Sequence, residues 1–146
     1  MNTEFLGYRA WAGEIARYRN GALVASDTGT ALSFGIANAQ ERGQLFIEPG
    51  VDVYSGMIVG LHARENDLDV NVCKAKQLTN IRSSTSDISV RLTPPSPPSL
   101  ERSLSLIGSD EMVEVTPKSL RLRKIELNAT NRARATKRAK FAAMAE

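Results

Sequence analysis

With 146 residues, 42% apolar and 24% charged, the chain has the length of one domain with at most an appendage, and it can bury an ordinary core. It has no run near the roughly 18 apolar residues of a membrane helix, and its opening MNTEFLGYR has neither the basic nor the apolar region of a secretory signal. The net charge is only +3, yet residues 118–140 hold nine Lys or Arg against the single acid Glu126, so that stretch carries +8 and the remainder −5. Such a concentration of cations points to an anionic partner, of which RNA is the commonest in the cytosol; a solvated basic helix without a partner is the alternative.

Phe5, Tyr8, Trp11, Ile15 and Tyr18 recur every three or four residues. Gly7, Gly13 and the β-favouring aromatics oppose a helix there, so an extended entry and a strand near residues 14–19 are expected. Arg9, Arg17 and Arg19 lie among these aromatics. They read as the outward charges of a strand face rather than as a base-stacking surface. Asn20-Gly21 is a turn signal, residues 23–26 read as a strand, Asp27-Thr28-Gly29 as a tight turn and residues 30–36 as the returning strand. Residues 14–36 therefore predict a meander of three antiparallel strands. Residues 37–43, ANAQERG, predict one or two helical turns closed by Gly43. Residues 45–47, 51–54 and 57–61 follow as short strands separated by Pro49-Gly50 and Ser55-Gly56, the spacing of a small barrel or sandwich.

The stretch from 64 to 87, RENDLDVNVCKAKQLTNIRSSTSD, is polar and lacks Gly and Pro. Connections of that length inside a compact domain are usually functional or disordered. Lys74, Lys76 and Arg82 supply phosphate attraction, and Thr79 and Asn80 supply directed hydrogen bonds. The alternating residues 68–72 allow a short strand embedded in a solvated loop. Residues 88–92 alternate as the next strand. Pro94-Pro95-Ser96-Pro97-Pro98 is a stiff spacer. Ser99 then N-caps a helix ended by Gly108, with Leu100, Leu104 and Ile107 expected to pack on the sheet. Residues 112–116 and 120–125 alternate around Pro117 and predict a hairpin whose outer face carries Arg121 and Arg123. From residue 127 the chain is rich in Ala, Arg and Lys, a helix or a tail that becomes helical on a polyanion.

Catalytic signatures are scarce. One His and one Cys cannot build the usual zinc sites. The lone Cys73 excludes an internal disulfide and fits a reducing cytoplasm. His62 ends an apolar strand with no nucleophile beside it in sequence. Asp67-x-Asp69-x-Asn71 imitates a calcium loop but lacks its Gly at the sixth position and its Glu at the twelfth. Neither a P-loop nor a Gly-x-Gly-x-x-Gly fingerprint is present.

Several segments carry a family resemblance: Ala12-Gly13-Glu14-Ile15 with Arg19-Asn20-Gly21, Asn38-Ala39-Gln40-Glu41-Arg42-Gly43, and Tyr54-Ser55-Gly56-Met57-Ile58-Val59-Gly60. Arg64-Glu65-Asn66-Asp67-Leu68, Lys76-Gln77-Leu78-Thr79-Asn80 and the run from Ser99-Leu100-Glu101 through Glu114 to Lys124 continue it. Together they closely resemble the C-terminal region of the TypA/BipA family, ribosome-associated translational GTPases related to elongation factor G. The resemblance implies that GTP and Mg belong to a GTPase domain upstream in the whole protein, with no cofactor in this part and no reaction performed by it alone. Residues 1–10 then resemble the end of the preceding elongation-factor-like domain or an entry strand, 11–126 the family's own C-terminal domain, and 127–146 a basic helical or disordered tail. In the family that domain reaches the ribosomal A site near the acceptor end of tRNA, and residues 66–87 match its reaching loop. Two departures stand out: Arg82-Ser83-Ser84-Thr85-Ser86-Asp87 lacks the family's usual glycine, and Gln77 stands where Lys is common.

The expectation is thus an α+β, β-rich domain with a small antiparallel barrel-like or sandwich core, one packed helix, a long functional loop and a basic C-terminal helix or tail. Its RNA-binding residues would be Lys74, Lys76, Thr79, Asn80, Arg82, Arg121, Arg123 and Lys124. Its partner would be the ribosome, through rRNA and A-site tRNA, with no membrane and as a monomer in the cytoplasm. It would serve stress-related translation or large-subunit assembly. A protein–protein module with a solubilising basic tail is the alternative.

Overall fold

The computed structural model describes residues 4–8, 10, 20–76 and 91–143. In chain order the elements are β1 (Ala22–Ala25), β2 (Gly29–Thr30), α1 (Ser33–Gln40), β3 (Gly43–Leu45), β4 (Asp52–Val53), β5 (Met57–His62) and β6 (Leu68–Val70). After them come α2 (Leu100–Leu106), β7 (Glu111–Val115), β8 (Leu120–Lys124) and α3 (Ala129–Ala143).

The continuous apolar run of β5 is what a strand covered on both faces needs, and β5 is the axis of the sheet. Antiparallel β1 lies on one side; β3 (opposite Gly60 to His62) and β8 (opposite Met57 and Ile58) share the other. Outside these, β7 forms a hairpin with β8, and β6 runs parallel to β1 at the far edge. Small β2 and β4 pair separately.

Two cores cover the two faces. On one, Leu23, Ala25, Leu45, Met57 and Val59 of the sheet meet Ile36 and Ala39 of α1, with Ala31, Val53 and Val72. On the other, Ala22, Val24, Ile58, Phe46 and Leu122 meet Leu106 and Ile107 at the end of α2. Fully burying a Leu, Ile, Val, Met or Phe side chain of these cores is worth roughly 1.5–3 kcal/mol. The fold is α+β and sheet-rich, as expected; among the described residues the sheets are mixed and form no closed barrel, which fits the sandwich-like alternative.

Several elements differ from the sequence reading. The meander does not form: β1 takes β5 and β6 as neighbours, and residues 14–19 lie outside the described residues. The returning strand shrinks to β2, and α1 begins at Ser33, because Gly35, Ile36 and Ala39 then turn one small apolar face to the core. Gly43 opens β3 instead of closing the helix; a Cβ there would run into the Leu61 carbonyl of the adjacent strand. Residues 91 and 92 are not in a strand, and residues 88–90 are not described. Ser99 does cap α2, its Oγ accepting the Arg102 N–H at 3.3 Å. Yet Leu100 and Leu104 stay 45% and 52% exposed. The helix packs through fully buried Ser103, whose Oγ donates back to the Ser99 carbonyl at 2.8 Å, and through its C-terminal Leu106 and Ile107.

Candidate nucleic-acid interface

The segment carrying Lys74 and Lys76 starts from a fixed stem. Strand β6 continues into Asn71, whose side chain bonds the Asp27 carboxylate and accepts the Cys73 N–H at 2.9 Å, an Asx turn. Val72 is buried in the core, and its carbonyl accepts the Leu32 N–H at 2.9 Å, just ahead of α1. Gly35 in the first turn of α1 lies flat against that Val72 backbone, and a Cβ there would collide with it. Ala in a helix normally stabilises relative to Gly by about 1 kcal/mol; here the close approach reverses the preference.

The far end of the same segment is fastened to the other end of α1. Gln40 donates its Nε2–H to the Thr93 carbonyl at 2.7 Å and accepts the Thr93 N–H on Oε1 at 3.0 Å, a two-point amide pairing. Leu92 beside it packs on the first core. Both stems therefore sit on one short helix, about 8 Å apart along its axis. Beyond the first stem Lys74 and Lys76 are exposed, and among the described residues no carboxylate pairs with either. Thr79, Asn80 and Arg82 lie outside the described residues.

Arg121 and Arg123 project from the face of β8 opposite Leu122, as the alternation predicts, but they are half-buried. Glu114 stands across from Arg121 and Met112 across from Arg123. Tyr54 donates its hydroxyl to Glu114 at 2.7 Å. Burial, then the bond to Glu114 and its charge, push the Tyr54 phenol up to about 12, while Arg123 and Arg121 pull it the other way. Tyr54, Glu114 and the two arginines thus form one mixed patch in which part of the cationic charge is already answered.

Lys124 is a correction. It is 1% exposed, and its ammonium lies 2.5 Å from Asp67, 2.7 Å from Asp110 and 2.9 Å from Glu111. Burial alone would lower its pKa; the bonds to Asp110, Asp67 and Glu111 outweigh that and leave it raised. The same acids also tie the backbone: Asp67 accepts the Ala22 N–H at 2.7 Å and Glu111 the Gly108 N–H at 2.9 Å. An ammonium enclosed by three carboxylates cannot meet a phosphate. The signal was present in the sequence, since Lys124 shares the parity of Leu120 and Leu122 and hence their inward face.

His62 is buried, and its Nδ1–H donates to the Asn66 carbonyl at 2.5 Å, closing the turn that leads to β6. Burial and the nearby Asp27 push the Cys73 thiol up, away from a reactive thiolate. Among the described residues no cluster of three His, Cys, Asp or Glu is arranged to hold a metal ion, and no helix is long and apolar enough to cross a membrane. Sequence reasoning treated the basic tail as a whole and missed Arg132, which bonds the Asp69 carboxylate on β6. No local pattern pairs residues so distant in the chain.

Residues 20–129 match the family described as the TypA/BipA C-terminal domain. The chain belongs to the TypA/BipA family. It is similar to the large ribosomal subunit assembly factor BipA of Synechocystis, with 50% identity over 125 residues, 86% of this chain and 21% of that protein. It is also similar to BipA of Bacillus subtilis, with 46% identity over 145 residues, 99% of this chain and 24% of that protein. Its likeness to the Salmonella typhimurium BipA is 46% over 125 residues, 86% of this chain and 21% of that protein. The chain thus spans about a quarter or less of the relatives' length. What it matches is the TypA/BipA C-terminal domain and not the family's GTPase domain.

Proposed function

We propose that this domain binds the RNA backbone of the ribosome, reaching rRNA and A-site tRNA through Lys74 and Lys76, with Thr79, Asn80 and Arg82 further along the same segment. Arg121 and Arg123 form a secondary contact, weakened by Glu114; Lys124 has no part in it. The observation that carries this reading is a cationic segment with both ends fastened to α1 and two exposed lysines that no carboxylate among the described residues neutralises. A fixed stem lowers the ordering cost of binding, and unpaired cations keep their full charge for phosphate. The relatives' name, large ribosomal subunit assembly factor, supports a role on that subunit, in its assembly or in translation under stress. In the whole protein, an upstream domain would hold GTP and Mg, and nucleotide state would govern when this domain engages. The site of action would be the cytoplasm, the acting form a monomer.

The test is binding to purified large ribosomal subunits across a salt series. Lys74→Ala with Lys76→Ala should weaken binding and lower the log–log salt slope by roughly 1.5 units, at about 0.7–0.9 per phosphate contact. Unchanged affinity and slope would remove these lysines from the mechanism. Salt-insensitive binding by the unaltered chain would favour a protein-docking role instead.

A further inference from the structure

Helix α3 leaves the body of the domain at its first turn. Asn128 caps it, its Oδ1 accepting the N–H groups of Thr130 at 2.9 Å and Asn131 at 3.3 Å. Arg132 then reaches back. Its Nη1 donates to the carbonyls of Leu127 at 2.7 Å and Glu126 at 3.2 Å, and its Nη2 bonds Asp69 on β6. Residues 133–138 are all exposed, and Phe141 is 73% exposed.

At 3.6 residues per turn, Arg134, Lys137, Arg138 and Phe141 fall on one stripe, on the side opposite Arg132. A solvated surface helix normally places acids three or four residues from its cations. α3 contains no Asp or Glu, so within the helix these three cations have no acid three or four residues away and stand at spacings where like charges repel. The arrangement is relieved by an external polyanion and by nothing within the helix. Its cations also span about 6 Å of axis, enough to meet neighbouring phosphates of one strand. A membrane surface suits it poorly, because Phe141 is the only large apolar side chain on the stripe and membrane-surface helices need a broad apolar face.

We infer that α3 is a second RNA arm, in which Arg134, Lys137 and Arg138 bind the phosphates of a structured RNA and Phe141 stacks on an exposed base, while Arg132 is a positioning residue that pins the arm to β6. The inference rests on the RNA-binding reading above but uses different residues, so the two can fail separately.

The experiment titrates the chain with purified ribosomal RNA across a salt series, and separately with vesicles of phosphatidylserine and phosphatidylcholine. Arg134→Ala with Lys137→Ala and Arg138→Ala should lower the salt slope by roughly two units. Arg132→Ala should weaken binding with the slope unchanged, since its guanidinium holds protein atoms and not phosphate. A triple variant with unaltered affinity and slope overturns the arm, as does a chain that binds vesicles through these residues and RNA without them. A slope that falls in Arg132→Ala overturns its positioning role. If the triple variant is impaired and Lys74→Ala with Lys76→Ala is not, the arm stands and the role of the 74–76 segment falls. If only the double variant is impaired, the 74–76 segment stands and the arm falls.

Discussion

Asp67, just before the edge strand β6, and Asp69, within it, each receive a cation from the C-terminal part of the chain. Asp67 takes Lys124, whose side chain is 2% exposed and also meets Asp110 and buried Glu111; Asp69 takes Arg132, whose side chain stays 15% exposed, and the two aspartates themselves are similarly open at 42% and 44%. The first cation is part of the interior and the second a surface tether. Two Lys or Arg residues counted alike in the net charge therefore do opposite things. One holds the β6, β7 and β8 regions of the sheet together, and the other points an exposed helix.

The sharpest way to break this comparison is Lys124→Met. It removes the buried ammonium that Asp67, Asp110 and Glu111 share, and stability should fall by about 3–5 kcal/mol, read as a lower urea midpoint. A loss under about 1 kcal/mol would mean that the carboxylates simply rehydrate. Alkaline pH offers a milder version. Lys124 has a folded pKa above its ordinary 10.5, so its contribution is intact below that value and disappears as pH rises through the folded one. Tyr54 acts in the same direction, because between 10 and about 12 the folded chain keeps a proton that the unfolded chain has released. The urea midpoint should decline across this window, and Tyr54→Phe should make the decline shallower. A flat profile would contradict both assignments. The smallest effect belongs to Asp69→Asn. A partly exposed pair is worth about 0–1 kcal/mol, so thermal stability should barely move, and a larger drop would make Arg132 a core contact rather than a tether.

Much of this architecture is legible in the sequence where period and punctuation agree. Met57 to Leu61 reads as a buried strand, Ser99 as a cap, and the runs around Pro117 as a hairpin, and all three are found. The reading fails where tertiary packing decides. Thr30 and the residues after it favour a strand locally, but Ile36 and Ala39 are worth more against the core as a helix. The leucines of α2 have a helical period, yet the helix meets the sheet through Ser103 and its last turn. At the interface, the exposure of Lys74 and Lys76 followed from composition, whereas the enclosure of Lys124 required acids from residues 67, 110 and 111 to converge. Parity along β8 hints at it; only the fold supplies the partners.

The two fastenings on α1 also bear on how this domain can diverge. Val72 and Thr93 are held on one rigid piece, so whatever joins them is a cassette with a standard fitting. Loop closure is forgiving, with each doubling of length costing only about 0.6 kcal/mol. Lineages can therefore rewrite, lengthen or trim the insert without disturbing the sheet that carries it. Recognition can drift in such a domain while its architecture is inherited unchanged.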